Sequence, residues 1–380
     1  MKTAKQAQPP RLLFGAVGLQ KGSGGIAELS RQVFKALLDM HGKNMIRLQV
    51  HVLEGSGPQA DDSLFGDKEL PVIRWFAGKR WKFALSLLNA KSDVQLLDHV
   101  GLGRLPGMLP LSASRQLILL IHSVEIWNNN RTDYERTAQK ASLLIANSEY
   151  TARKARAHYS DLPGIEVCWP GKDPETAGSE SANSSWRDIM PGTTLGPHAI
   201  LIVGRLSSEQ RHKGHDHLIE AMPRILQTVP DAQLVVAGAG DDQARLGAKA
   251  RKLGLADQVI FMGWVDKEQL HSLYSLCAVF AMPSDGDGFG LVFLEAMMHC
   301  LPCVGLQSGA AAEIFEDETS GILVNRDDRA AMADRLSSLL LDESLRMRLG
   351  KAGYQRYQSM FQGRHYSKRL QSILLEHLVI

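Results

Sequence analysis

Apolar and polar positions along this chain alternate with two different periods. Short runs in which nearly every residue is apolar, bounded by Gly, Asn and Pro, are separated by longer segments whose apolar residues return every three to four positions. Runs of the first kind suit strands covered on both faces, and segments of the second kind suit helices with one buried face. The pattern predicts strands at Arg11–Gly18, Ile46–Leu53, Pro71–Phe76, Val94–His99, Gln116–His122 and Ser142–Asn147, with a helix at Gly25–Met40. The stretch Asp173–Pro197 breaks the rhythm: it is rich in Ser, Gly, Thr and Pro and reads as a linker or surface loop. Strands then resume at Ala199–Gly204, Gln233–Gly238, Gln258–Gly263, Ala278–Pro283, Pro302–Gly305 and Gly321–Val324, with helices between them such as His215–Val229 and Lys267–Leu276. The tail, Met360–Ile380, reads as a helix with Leu370, Ile373, Leu374 and Leu378 on one face.

Strand, helix, strand on this cadence predicts an α/β fold with doubly wound parallel sheets. A chain of 380 residues is long for one core, so two domains are expected. The expected division is 1–172 and 173–359, with 173–197 as the connecting loop and 360–380 as a terminal helix. Two such domains would present their strand C-termini to a shared cleft, where open α/β sheets bind ligands.

Composition narrows the function without naming it. Hydrophobic residues are 44% and charged residues 22%, as in an ordinary globular protein, and the formal charge of +2 calls for no nucleic-acid partner. Of the four cysteines only Cys300 and Cys303 form a C-x-x-C, with no second pair to complete a zinc site, so buried packing in a reducing compartment is expected. MKTAKQAQPP at the N-terminus has no apolar core of the signal-peptide kind, and no run approaches the length of a membrane span. The expected location is cytoplasmic, with contact to the inner face of a membrane left open. That opening comes from Arg74–Phe83 (RWFAGKRWKF), whose basic and aromatic residues suit either anionic lipid or a helix packing its Trp and Phe inward.

Two segments carry candidate chemistry. In Pro283–Glu295 (PSDGDGFGLVFLE) a strand ends, glycines 286, 288 and 290 admit a ligand close to the backbone, and a helix begins near Leu291. Asp287 and Glu295 can accept hydrogen bonds from sugar hydroxyls. In Gly204–Lys213 (GRLSSEQRHK), which follows the first strand of the second half, Arg205 and Lys213 are placed to converge on one anion, most plausibly a diphosphate.

With these residues in view, the sequence resembles the retaining glycosyltransferases of family 4, which have the GT-B architecture. The family's two acids flanking Gly-Phe-Gly-Leu-Val read here as Asp287 and Glu295, and its GRL…KG element as Gly204, Arg205, Leu206, Lys213 and Gly214. GAG at Gly238–Gly240, FMGWV at Phe261–Val265, GGIAEL at Gly24–Leu29, IHSVEIW at Ile121–Trp127 and ANSEYT at Ala146–Thr151 extend the likeness over nearly the whole chain. The resemblance implies an N-terminal acceptor-side domain, a C-terminal nucleotide-sugar domain, and a last helix crossing back to the first. It implies that Arg205 and Lys213 grip the donor diphosphate, that Glu295 holds the ribose, and that Asp287 holds the transferred sugar. Backbone groups of Gly204, Gly240, Gly288, Phe289, Gly290 and Leu291 would add donor contacts, and Gly263, Trp264 and Val265 would frame the base. Gly24 and Gly25 would approach the diphosphate and acceptor, His122 would face the reacting sugar, and Glu125 and Trp127 stand between acceptor-loop and structural roles. Asp98 and His99 also end a strand, with packing favoured over acceptor contact.

The donor so implied is a UDP- or GDP-sugar and the acceptor a glycan or lipid-linked sugar, with retention at the anomeric carbon and no metal or other cofactor. One departure stands out: the first acid of the pair is Asp287, where the family has Glu. It is the only feature favouring a catalytically silent nucleotide-sugar-binding subunit; an epimerase on the same fold would not need the IHSVEIW pattern.

Overall fold

A computed structural model describes residues 8–20, 25–58, 62–65, 70–104, 115–127, 131–174 and 195–378. The chain divides into two compact units, Met1–Gly171 with Gly363–Ile380, and Lys172–Gln362. Most of the expected linker, 175–194, falls outside the described residues.

Unit 1 is built on a seven-stranded sheet of order β3-β2-β1-β4-β5-β6-β7. Its strands are β1 (Arg11–Ala16), β2 (Arg47–Val52), β3 (Val72–Trp75), β4 (Val94–Leu97), β5 (Gln116–Ile121), β6 (Leu143–Ala146) and β7 (Ile165–Val167), paired in parallel throughout. Alternate residues of β1 serve opposite faces. Leu12 and Phe14 pack with Val33, Phe34 and Leu37 of helix α1 (Gly25–Gly42), whereas Leu13 packs with Phe83 and Leu87 of α2 (Arg80–Asn89). Helices α3 (Thr132–Gln139) and α4 (Glu149–His158) also belong to this second face, through Ala138, Ala152 and Ala155. The strand β7 was not predicted: it has three residues, none fully buried, and so lacks an apolar run.

Unit 2 repeats the plan with six strands of order β10-β9-β8-β11-β12-β13. They are β8 (Ala199–Val203), β9 (Gln233–Ala237), β10 (Val259–Gly263), β11 (Val279–Met282), β12 (Cys303–Leu306) and β13 (Ile322–Val324). The helices used below are α5 (His215–Thr228), α6 (Gln243–Lys252), α7 (Lys267–Leu276), α8 (Leu291–Met298), α9 (Ala311–Ile314), α10 (Arg329–Leu341) and α11 (Glu343–Met360). Ile200 and Ile202 of β8 pack with Leu218, Met222 and Ile225 of α5 and with Leu336 and Leu339 of α10. The last helix, α12 (Gly363–His377), returns to unit 1, where Tyr366, Leu370, Ile373 and Leu374 join the α1 side of the core.

Two expectations are amended. Cys277, Cys303 and Cys168 are buried, but Cys300 is exposed, at a left-handed φ of +54° just after α8. The turn that closes α8 points this side chain outward, which the apolar neighbours in sequence could not reveal. Within Arg74–Phe83, Phe76 stacks edge-on against Phe83, which is 2% exposed, and Trp75 lies against Phe65, so packing accounts for these three. Trp81 is left outside at 64% exposed. Among the described residues no helix is long and apolar enough to cross a membrane.

Candidate active site

Both sheets reverse their strand order once, between β1 and β4 in unit 1 and between β8 and β11 in unit 2. Parallel sheets open a crevice beyond the strand C-termini at such a point. In unit 2 the loops leaving β8 and β11 are the two segments singled out by sequence.

These loops are fixed by backbone lying on backbone. A Cβ on Gly240 would sit 2.0 Å from the Leu206 carbonyl oxygen, so the GAG loop leaves no room for any side chain there. The same contact is tied by Leu206 N–H donating to Ala239 O at 3.0 Å and Asp242 N–H donating to Leu206 O at 2.9 Å. Gly214, at φ +91°, closes the 3-10 turn Ser208–Lys213, and a Cβ on it would meet the Pro283 carbonyl oxygen at 2.5 Å. The turn is further anchored where Arg211 donates to Asp242 at 2.8 Å.

This framework sets Lys213 against Asp287. The lysine stem passes Gly204, where an added Cβ would lie 3.0 Å from Lys213 Cδ, and its Nζ reaches Asp287 Oδ1 at 2.7 Å. Burial pushes the Asp287 carboxyl up, yet the Lys213 charge and hydrogen bond outweigh it and hold the group below its ordinary value. Asp287 Oδ2 is buried and has no hydrogen-bond partner among the described residues. Such an oxygen is an open acceptor awaiting a donor hydroxyl. Arg205, beside Gly204, is exposed and enters no ion pair with a described residue. His212 and His215 stand close by; burial first, then Lys213 among the nearby charges, lowers both, His215 to about 4. Gly288 and Phe289 are buried in the loop, the Phe289 ring tilted on Phe361, and Gly290 and Leu291 open α8.

One turn into α8, Glu295 has both carboxylate oxygens engaged. Tyr274 donates its hydroxyl to Oε2 at 2.9 Å, and Lys172 Nζ pairs with Oε1 at 2.8 Å. A cavity of about 110 Å³ opens on this group, lined by Lys172, Lys267, Leu270, His271, Tyr274, Glu295 and Met298. Gly263, at φ +67°, and Val265 precede α7, and Trp264 between them is 78% exposed. Among the described residues no three His, Cys, Asp or Glu side chains gather as a metal site would require.

Unit 1 arranges its polar groups differently. Asp98 is 1% exposed and receives Val17 N–H at 2.9 Å and the Ser30 hydroxyl at 2.5 Å. Burial nevertheless lifts its carboxyl to about 7. The His122 Nε2–H donates to the Asp98 carbonyl at 2.6 Å, and its Nδ1 is buried and without a partner among the described residues. Glu125 folds back on its own turn, accepting from His122 N–H at 2.6 Å and Ser123 N–H at 2.9 Å. Trp127 stands edge-on to Tyr150, 5.8 Å between centroids. Gly25 begins α1 with open space around it; Gly24 lies outside the described residues. At the β1/β4 reversal a cavity of about 490 Å³ is lined by Arg80, Trp81, His99, Arg104, Arg131 and Tyr134, among others.

The structure therefore brings Arg205, Lys213, Asp287 and the start of α8 to one end of the unit 2 sheet, with Glu295 a turn further on. Gly240 serves there by making room for Leu206. In unit 1 it gathers His122, Glu125 and Asp98. Sequence reasoning missed Lys172 and Tyr274, because nothing in the local pattern ties them to Glu295. It also missed Arg104 and Arg131, from the segments after β4 and before α3, whereas Arg80 lies in the Arg74–Phe83 segment that it singled out. Basic residues near strand ends were the available signal.

Residues 191–356 match the family described as Glycosyl transferases group 1. The chain is 28% identical to a GDP-mannose-dependent alpha-(1-6)-phosphatidylinositol monomannoside mannosyltransferase of Mycolicibacterium smegmatis, over 69% of this chain and 71% of that one. It is 32% identical to a D-inositol 3-phosphate glycosyltransferase of Corynebacterium urealyticum over 57% of this chain, and so spans about half, 53%, of that relative. Among solved structures, HepE of Anabaena in complex with UDP and glucose superposes with a TM-score of 0.72 at 20% identity, covering 97% of this chain and all of the other. Sucrose-phosphate synthase of Thermosynechococcus elongatus gives 0.69 at 20% identity, over 97% and 98%. The fold is that of these proteins, the GT-B architecture of two Rossmann-like domains.

Proposed function

We propose that this chain, which belongs to the group 1 glycosyl transferases, moves a sugar from a UDP- or GDP-sugar to a glycan or lipid-linked acceptor with retention and without a metal. The observation that carries this is the Lys213–Asp287 pair, whose second carboxylate oxygen is buried and unpartnered among the described residues, at the strand end where exposed Arg205 follows Gly204. A diphosphate takes the two cations, and a hydroxyl of the transferred sugar takes Asp287 Oδ2. As the anomeric C–O bond breaks, the electron pair leaves with the nucleotide, where Arg205 and Lys213 oppose the growing charge. The same leaving phosphate oxygen accepts the acceptor hydroxyl's proton, and the new bond forms on the face the nucleotide vacates. Glu295 receives the ribose diol, and His122, whose Nδ1 is buried and unpartnered among the described residues, faces a hydroxyl of the reacting sugar.

The unit 1 cavity is the proposed acceptor site. Arg80 with Trp81 and Tyr134, and Arg104 and Arg131 sharing the single carboxylate of Asp133, suit a polyol or sugar bearing an anionic group, and the relatives' names point to inositol phosphates and phosphatidylinositol mannosides. Trp81 standing out beside Arg80 and Lys82 supports peripheral contact with anionic lipid, and four free cysteines suit a cytoplasmic setting.

The test is a binding and transfer screen of UDP-, GDP- and ADP-sugars in EDTA, with wild type and Glu295→Ala. Transfer from one donor, lost in the variant, supports the proposal. Binding without hydrolysis or transfer favours a silent nucleotide-sugar-binding subunit, and binding of no donor overturns the assignment.

A further inference from the structure

We infer that Lys172 is a positioning residue of the donor site, holding the Glu295 carboxylate in the orientation from which it receives the ribose diol. The inference rests on the reading of Glu295 as the ribose acceptor and adds a residue that neither the sequence motifs nor that reading includes.

Lys172 is the first residue of unit 2, and its backbone is clamped on both sides. Its N–H donates to Phe361 O at 2.8 Å, and its carbonyl accepts the Tyr357 hydroxyl at 2.8 Å. Both partners lie at the C-terminal end of α11, so the Cα has a fixed origin from which the ammonium reaches Glu295 Oε1 at 2.8 Å. From the opposite side Tyr274, itself 2% exposed, donates to Oε2 at 2.9 Å. Burial first, and then Glu295, raise the Tyr274 hydroxyl well above its ordinary value, so it stays a donor. The carboxylate is thus gripped at both oxygens by groups that cannot exchange roles with it.

An ionised carboxylate has about four acceptor positions, two per oxygen, and these two partners use one on each. One position per oxygen remains, which is the demand of a vicinal diol donating twice. The Lys172 and Glu295 side chains are only 13% and 17% exposed, and both line the 110 Å³ cavity. Removing a lysine ammonium from water is costly unless a specific charge receives it, so this lysine is placed for the carboxylate. Without it, Glu295 keeps a single tether and can rotate about its last bond.

The consequence is specific. Loss of Lys172 weakens binding of nucleotides that carry both ribose hydroxyls and leaves deoxy nucleotides nearly untouched. The experiment is calorimetric titration of UDP, GDP and their 2′-deoxy and 3′-deoxy counterparts into the full chain as wild type, Lys172→Met, Lys172→Gln and Glu295→Gln, with melting temperatures taken in parallel. Wild type prefers the ribonucleotides, and Glu295→Gln abolishes that preference. Lys172→Met lowers ribonucleotide affinity about tenfold, the scale of one hydrogen bond to a charged group, and shifts deoxynucleotide affinity far less. Lys172→Gln, which still donates a hydrogen bond, falls between and supplies the test should the Met variant fold poorly. A preference abolished by Glu295→Gln but kept in both Lys172 variants overturns this inference alone. Equal weakening for ribo and deoxy forms with a lowered melting temperature also overturns it, because that is the mark of a merely structural lysine. Absence of any preference in wild type overturns the reading of Glu295, and this inference with it.

Discussion

The two strand-order reversals of this molecule occupy equivalent places in equivalent sheets, and they are furnished in opposite ways. At the β8/β11 reversal, loop backbones touch with no space for a side chain, and the acids are aimed at cations: Asp287 at Lys213, Glu295 at Lys172. At the β1/β4 reversal Asp98 is spent on Val17 N–H and the Ser30 hydroxyl and Glu125 on its own turn, and a cavity of about 490 Å³ is lined by aromatics and by arginines of which Arg104 and Arg131 share Asp133. The first arrangement specifies a ligand through main-chain shape and fixed charge. The second specifies one through side chains, which can change without disturbing the fold.

The sharpest way to break this contrast is to add a methyl group on each side. Gly240→Ala forces the Leu206 carbonyl to move and is expected to cost unit 2 about 3 kcal/mol and to abolish nucleotide binding, as strain mutations in packed backbone do. Gly42→Ala, at the end of α1 in unit 1, meets nothing and is expected to stay within about 0.5 kcal/mol of wild type. Urea denaturation followed by UDP and GDP titration decides, and equal effects would erase the distinction.

Next in size is the charge itself. Lys213→Ala should lower the transfer rate about 10²–10³-fold, the scale of removing one group that stabilises developing charge, with the acceptor KM little changed. Steady-state kinetics with the acceptor varied separates the two.

Proton linkage sharpens the comparison because the two acids move in opposite directions. Asp98 is raised to about 7, so its contribution to stability is fully present below the carboxyl's unfolded value near 4 and is lost as pH rises through 7. Asp287 is depressed, so its contribution is present above that unfolded value and lost as pH falls through the lower folded one. Melting curves across pH should show Asp98→Asn flattening the decline between about pH 4 and 7 and Asp287→Asn flattening the acid limb.

The smallest effect is expected at the surface. Trp81→Ala should leave stability within about 0.5 kcal/mol, its side chain being 64% exposed, while raising the acceptor KM several-fold. An unchanged KM would remove Trp81 from the acceptor site.

Much of this was legible in sequence because parallel strands buried on both faces must be apolar throughout, which marked β1, β8 and β11 within a residue or two. The paired loops were legible because glycines and charges cluster where strands end. β7 was not, since a short edge strand needs no apolar run. Gly240 entered through the resemblance as a donor contact, and its close approach to the oxygen of Leu206 was not legible because it depends on how two loops lie against each other. Lys172 and Tyr274 were invisible because their meeting at Glu295 depends on how α7, α8 and α11 rotate against one another, and periodicity fixes a helix's buried face but not its neighbour.

The last helix of unit 1 carries a consequence for how the protein is made. Unit 2 is threaded into unit 1 as one continuous insert, and Tyr366, Leu370 and Leu374, which complete the apolar core around α1, are translated only after it. At about 5–20 residues per second the ribosome leaves unit 1 waiting roughly ten to forty seconds for α12. Unit 2, whose sequence is uninterrupted, can close first, while the nascent unit 1 still lacks the apolar side chains of α12.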